Sequence, residues 1–307
     1  MIDLHIHTRA SDGTWTAEQA AEAAADFGLR ALAIADHDTL ASAAAGMTAA
    51  RRLGLGFITA VEITAGSDGE EILHILGYGV DADEPSLQRT LRDNQDSWEE
   101  NERQSHLNLA RLGVMIDRER YDYWVEHREA GGWPTYNCLV EMGLVASYEE
   151  YFARYFGPGK PAYVANSFVQ LETAIAAIKR AGGVPILAHP GAYDARNRTV
   201  LDRPGFLDFI VEMGIEGFEA YAHANNPAVT THLLAFCGQH GLLVTGGSDC
   251  HGGFAAGRRL GYPEVPDTCL PPLLARLSSG TYYIPEKIGI EELGNRGKGT
   301  PVNESGE

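Results

Sequence analysis

Ile2, Leu4 and Ile6 alternate with Asp3, His5 and His7, a two-residue period that predicts a strand with one apolar face and one polar face. Thr16 with Gln19 three residues later forms a capping-box start for an Ala-rich helix that stops at Gly28. A short apolar strand over Leu32–Ala35 then runs into Asp36-His37-Asp38. A helix over Leu40–Leu53 and strands over Phe57–Ile63 and Ile72–Gly77 follow, so the chain opens as βαβαββ.

The period changes between Pro85 and Pro161. The long polar stretch Leu87–Leu112 and the segments around Leu139 and Tyr151 read as helices with no strand between them. Alternation then resumes: a helix over Leu171–Ala181 closed by Gly182-Gly183, a strand Val184–Ala188 leading into His189-Pro190, and a helix over Phe206–Met213. A strand Glu216–Ala220, a helix Ala228–His240 and a strand Leu242–Thr245 bring the chain to Ser248-Asp249-Cys250-His251. The expected organisation is an α/β barrel built from residues 1–84 and 162–285, an inserted helical subdomain over 85–161, and a disordered Gly-, Asn- and charge-rich tail over 294–307.

Length and charge narrow the function. A chain of 307 residues buries a full core without staples, and its four cysteines show no C-x-x-C pair, which excludes a zinc ribbon or redox motif and fits a reducing cytoplasm. No stretch resembles a signal peptide or a bilayer span, so no membrane partner is expected. A formal net charge of −18 argues against a duplex DNA partner, while a small anionic substrate stays compatible because bound cations invert the local sign.

The strongest signal is where the ligand-type residues fall. His5, His7, His37, Glu62, His74, His189, Asp249 and His251 lie at or beside the expected strands, and in barrel-like α/β folds strand ends converge on one face. Histidine and carboxylate donors without cysteine suit Zn, Fe or Mn, and the two-residue spacing of His5 and His7 lets both rings reach one ion. His106, His127, His232 and His240 sit on expected helices and read as ordinary surface or core histidines. Asp36 and Asp38 flank His37 and are candidates to orient its imidazole, with helix capping before Leu40 the competing role for Asp38. Asp12, in Ser11-Asp12-Gly13, reads on its own as a turn residue.

In this order, His5-x-His7, Ser11-Asp12-Gly13, Asp36-His37-Asp38, Glu62, His74, His189-Pro190 and Ser248-Asp249-Cys250-His251 closely resemble the polymerase and histidinol phosphatase (PHP) family. The resemblance spans residues 5–251 and points to the branch of stand-alone nucleotide phosphoesterases. It implies a distorted (β/α)7, TIM-like barrel and three divalent metal ions, Mn2+, Fe2+ or Zn2+. One ion would be held by His5, His7, Glu62 and Asp249; a second by Glu62, His74 and His189; a third by Asp12, His37 and His251. Asp12, His37 and Glu62 thereby become candidate catalytic residues. The implied chemistry is attack on phosphorus by a hydroxide bridging the ions, and the implied substrate is a small phosphorylated metabolite such as a nucleotide bisphosphate or monophosphate or a sugar phosphate. An RNA 5′ end or a ribose cyclic phosphate is the alternative.

Lys160, in Gly157-Pro158-Gly159-Lys160-Pro161, matches a family position that meets phosphate, and His223 lies where relatives carry a histidine that ligates or donates a proton. One departure stands out. Relatives often read Gly-Arg-Pro-His where this chain reads Gly131-Gly132-Trp133-Pro134, so an arginine and a histidine are missing and Trp133, Tyr136 and Asn137 are positioned to reshape the pocket. The competing readings are a metal amidohydrolase, whose bridging lysine has no counterpart at a strand end here although Glu62 can serve as an equivalent carboxylate, and a non-catalytic metal-binding module.

Overall fold

A computed structural model describes residues 1–67, 71–165, 167–191, 200–255 and 257–288. The expected tail over 294–307 lies outside the described residues. The elements are β1 (Ile2–Ile6), α1 (Ala17–Phe27), β2 (Ala31–Ile34), α2 (Ala43–Leu53), β3 (Gly56–Ser67) and β4 (Glu71–Tyr78). Then come α3 (Pro85–Arg111), α4 (Arg118–Glu126), α5 (Pro134–Glu141), α6 (Tyr148–Tyr151) and α7 (Leu171–Arg180). The chain continues through β5 (Val184–Leu187), α8 (Phe206–Glu212), β6 (Gly217–Ala222), α9 (Pro227–His240), β7 (Leu243–Gly247), α10 (Leu270–Leu274) and β8 (Tyr282–Tyr283).

The sheet runs in sequence order from β1 to β7, with β8 pairing onto β3. Its ends meet: His7 N donates to Cys250 O at 2.9 Å and Asp249 N to His5 O at 2.9 Å, bringing β1 against the end of β7. Gly247 permits this approach, since a Cβ there would stand 2.3 Å from His5 Cβ. The result is a nearly closed α/β barrel. Apolar side chains such as Leu4, Ala33, Leu76 and Ile186 fill one cluster, and Val61, Ile75, Leu187 and Phe218 pack with α7, α8 and α9 in another.

β3 is longer than its apolar run suggests. Its first part pairs parallel with β2, and from Ala60 it pairs antiparallel with β4. Glu62 therefore sits mid-strand, just beyond the level where β2 ends, and forms a bridge with His37. β4 is antiparallel to both neighbours, so His74 reaches the same level from the opposite chain direction, its carbonyl accepting from Ala188 N at 3.0 Å. α2 starts at Ala43 rather than Leu40, because Ser42 donates its hydroxyl to Asp36 and the residues before it form a turn.

Between β4 and β5 lie α3 to α6, which enclose a separate apolar cluster of Leu109, Leu139, Val145, Tyr151, Phe156 and Ala162. α4 was not visible in the sequence: none of its residues is buried, so no apolar period marks it, although Asp117 caps its start. Among the described residues no helix is long and apolar enough to cross a membrane.

Candidate metal centre

The barrel rim gathers nine of the sequence-predicted side chains into one cluster, seven of them buried and His37 and His74 partly so. His5 and His7 leave the same face of β1, as the two-residue period requires, and their Nε2 atoms stand 3.0 Å apart. Glu62 is fully buried and central. Its Oε2 lies 3.2 Å from each of His5 Nε2, His7 Nε2 and His37 Nδ1, while its Oε1 lies 3.1 Å from His74 Nδ1 and 2.9 Å from His189 Nε2. Asp249 Oδ1 is 3.1 Å from His7 Nε2, and Asp12 Oδ1 is 3.3 Å from His251 Nε2.

Backbone geometry at the rim is unusual. Asp38, His189 and Asp249 have φ of 51°, 26° and 54°, a region that L residues populate at a cost of about 1–3 kcal/mol each. Such strain persists where surrounding contacts over-determine it, and here it turns His189 and Asp249 inward immediately after β5 and β7.

The electrostatics follow from packing carboxylates among imidazoles away from water. Burial alone would push His7 down, yet the Asp249 and Glu62 carboxylates beside its Nε2 outweigh that and hold it up at about 10. Burial pushes His37 down to about 3, in spite of Glu62. Glu62, Asp12 and Asp249 are held well below the ordinary carboxylate range despite burial, by His5 and His37 around Glu62, by His251 and His37 around Asp12, and by Arg258 and His5 around Asp249.

Asp12 Oδ1, His37 Nδ1, Glu62 Oε2 and Asp249 Oδ1 are buried and make no hydrogen bond among the described residues. Buried polar atoms left in this state normally belong to a site that something else completes. The donor atoms also fall within metal-ligating distance of one another in three overlapping groups: His5, His7, Glu62 and Asp249; His7, Asp12, His37 and His251; and His37, Glu62 and His74. Oxygen and imidazole nitrogen donors of this kind fit Zn, Fe or Mn. A cluster of His, Asp and Glu able to bind metal is therefore built into the rim.

Three comparisons place the chain. The PHP domain profile matches residues 3–155. A 3′,5′-nucleoside bisphosphate phosphatase of Chromobacterium violaceum is 34% identical over 272 residues, 88% of this chain and 94% of that protein. This chain belongs to the PHP family. The 5′-3′ exoribonuclease Rnm of Escherichia coli is 32% identical, covering 82% of this chain and 85% of its own length. A solved structure from Bifidobacterium adolescentis described as a metal-dependent phosphoesterase superposes with a TM-score of 0.78 at 28% identity, covering 90% and 96% of the two chains.

Two expected contributors of this PHP protein are exposed and belong to none of the three groups. Lys160 is exposed on its Gly/Pro turn, with its backbone N donating to Gly157 O at 2.9 Å. His223 is exposed just beyond β6, and its Nε2 would lie 3.6 Å from a Cβ at Gly257.

The two aspartates flanking His37 do other work than expected. Asp36 accepts from Thr8 N and Oγ1, Ser11 Oγ and Ser42 Oγ, so it braces the loop carrying Asp12 and does not hold the His37 ring. Asp38 accepts from Thr64 N, Asn94 Nδ2 and Trp98 Nε1, tying α3 to β3 and neither capping α2 nor orienting His37.

Sequence reasoning also missed two residues. Glu219 on β6 is fully buried, accepts from His5 Nδ1 at 3.0 Å, and accepts from the His189 backbone N at 2.8 Å. Its signal was a lone acid inside the apolar run Gly-Phe-Glu-Ala-Tyr-Ala, where an unpaired carboxylate would be too costly to bury. Arg258 places Nη1 2.6 Å from Asp249 Oδ2. It sits in a loop with no period, and nothing in the sequence marked it.

Proposed function

We propose that this metal-dependent phosphoesterase of the PHP family hydrolyses a phosphomonoester of a small metabolite, a nucleotide bisphosphate or monophosphate or a sugar phosphate, using three divalent ions. The observation that carries the reading is Glu62: one buried carboxylate faces five imidazole nitrogens at 2.9–3.2 Å, as a bridge between ions would. In this reading His5, His7, Glu62 and Asp249 hold one ion, Glu62, His74 and His189 a second, and Asp12, His37 and His251 a third, with Mn2+, Fe2+ or Zn2+ as occupants. Ions held by these residues would neutralise phosphoryl oxygens and lower the pKa of a bound water to about 7.

The protein's own groups supply the rest. Glu219 holds the His5 ring with Nε2 toward the cluster, because its carboxylate engages Nδ1. Asp36 fixes the Thr8–Ser11 loop and with it Asp12. Lys160 and His223 are the exposed side chains assigned to the remainder of the substrate, His223 as the proton donor to the leaving oxygen. The segment 85–161 acts as a helical subdomain that borders the cluster: Gly132 N donates to Asp12 O at 2.7 Å, and Arg128 donates to Ser11 O. A net charge of −18 disfavours duplex DNA while leaving room for a small anionic substrate at the metal cluster, and four free, buried cysteines fit a reducing cytoplasm.

The test is phosphate release by Mn-reconstituted protein from nucleotide 3′,5′-bisphosphates, nucleoside monophosphates, sugar phosphates, cyclic phosphates and short 5′-phosphorylated RNA. Preference for one monoester class is expected, with chelation abolishing it and with His7→Ala and Asp249→Asn losing bound metal and turnover together. Silence across the panel in protein that carries its metals would refute the reading and favour an amide substrate or a non-catalytic role.

A further inference from the structure

Arg258 lies in the loop after β7 and belongs to none of the motifs that assign the ligands. Asp249 divides its two oxygens: Oδ1 faces His7 Nε2 at 3.1 Å and His251 Nδ1 at 3.6 Å, while Oδ2 takes Arg258 Nη1 at 2.6 Å. The arginine side chain is 33% exposed against 7% for Asp249, so the guanidinium spans the border between the cluster and solvent. A guanidinium carries five N–H donors in a planar fork, and no further side-chain hydrogen bond of Arg258 is made among the described residues. An arginine is charged at any pH the protein meets, so a full cation stands beside the cluster.

The loop is held in register by the helical segment. A Cβ at Gly132 would meet the Phe254 ring at 2.5 Å, so the Phe254 side chain fills the space where any longer residue at 132 would begin. Trp133, Tyr136 and Tyr148 surround the same ring with centroids 5.8, 5.4 and 6.1 Å away. Phe254 thus pins the loop four residues before Arg258, and the Arg258 backbone N closes a turn onto Ala255 O at 2.8 Å. A guanidinium anchored through one nitrogen, restrained by its loop and open on its other side is preorganised for a bidentate or bridging contact with a tetrahedral oxyanion.

We infer that Arg258 is a substrate-binding residue whose donors not engaged by Asp249 grip a phosphoryl oxygen of a phosphomonoester dianion seated at the cluster. The inference rests on the phosphoesterase reading and adds to it the cation that receives the phosphate. The competing role is purely local: Arg258 neutralises and aims Asp249 and never meets substrate.

The two roles separate in full-length, metal-loaded protein carrying Arg258→Gln or Arg258→Lys. Calorimetry with inorganic phosphate, metal content by elemental analysis, and kcat and KM on the best ester of the panel are measured together. Loss of a charge-assisted contact weakens binding by about 10–100-fold. The expected result is that phosphate affinity falls and KM rises by this amount in Arg258→Gln, less in Arg258→Lys, with metal content unchanged. Phosphate affinity within twofold of the parent overturns the inference, whether metal content drops, which assigns Arg258 to Asp249 alone, or stays. Should Arg258→Gln fail to fold, Arg258→Lys keeps the charge, lacks the fork and decides the question by the same readings. If the parent protein hydrolyses an ester while the variants match it, only the role of Arg258 falls; a parent that neither binds phosphate nor releases it from any ester overturns the phosphoesterase reading and this inference with it.

Discussion

Glu219→Gln isolates a single physical contribution, the alignment of metal-ligating histidines by a buried carboxylate. The native side chain accepts with both oxygens, Oε1 from His5 Nδ1 at 3.0 Å and Oε2 from the His189 backbone N at 2.8 Å. Glutamine keeps the shape but has one acceptor oxygen. If that oxygen serves His5, an NH2 group faces the His189 N–H, and if it serves His189, the NH2 faces Nδ1 of His5 and favours the wrong tautomer. Either way one charge-assisted hydrogen bond, worth about 1.5–3 kcal/mol, is lost. At about 1.4 kcal/mol per tenfold, that is roughly 10–100-fold in metal affinity, the usual scale for partners of ligating histidines. The assay is a metal titration of chelated protein followed by elemental analysis. The ions assigned to His5 and to His189 should weaken, whereas the one assigned to Asp12, His37 and His251 should bind as before. Metal affinity within twofold of the parent, or equal weakening at all sites, would refute the alignment argument.

In chelated protein His7 is held up at about 10 and is protonated at neutral pH, so ion binding must displace its proton; calorimetry in buffers of differing ionisation enthalpy should show proton release at pH 7, and its absence would contradict the assignment. Because the folded-state value lies above the ordinary histidine value of about 6.5, the stability His7 lends the metal-free protein is complete below that pH and is lost as pH rises through about 10, and thermal melts of chelated protein should show this fall. Gly247→Ala places a methyl 2.3 Å from His5 Cβ and 2.4 Å from His5 N, so urea titration should show a loss of about 1–3 kcal/mol or more together with weaker metal binding. Gly28→Ala, at φ of 85° with nothing within 4 Å of the added carbon, is the control: it should cost about 1–2 kcal/mol through backbone strain alone and leave metal binding intact.

The barrel was readable because its evidence is local. Alternation in Ile2–Ile6, a capping box at Thr16 with Gln19, and a left-handed glycine stop at Gly28 each act within a few residues, and the structure forms all three. The direction of β4 was not readable. An eight-residue strand reads the same whether it runs up or down the sheet, so the rule that ligands follow the C-terminal ends of strands reaches His5, His7, His189 and Asp249 but not Glu62 and His74, which sit inside antiparallel partners. The side chains around the ligands were hidden for a related reason: Asp36 finds three hydroxyls on two separate segments, and Glu219 reaches histidines 214 and 30 residues away in the chain.

The departure at Gly131-Gly132-Trp133 shows how far a motif carries before packing takes over. Read as sequence, it is a deletion of two polar side chains from the pocket. In the folded chain the vacated volume is occupied, because the Phe254 ring lies against Gly132 and Trp133 stacks within an aromatic group that includes Tyr148 and Tyr151. Asn137 turns its amide back to Gly131 O at 2.9 Å and so braces the turn. Glycine is required here twice over: φ values of 71° and 66° at Gly131 and Gly132 suit no branched or bulky residue, and the Phe254 contact leaves no room for a Cβ. Restoring arginine at 132 would thus strain the backbone and displace Phe254 from the loop that carries Arg258. The charge at this rim comes instead from beyond β7, across a contact between two segments more than 100 residues apart, and no scan for a local motif would connect them.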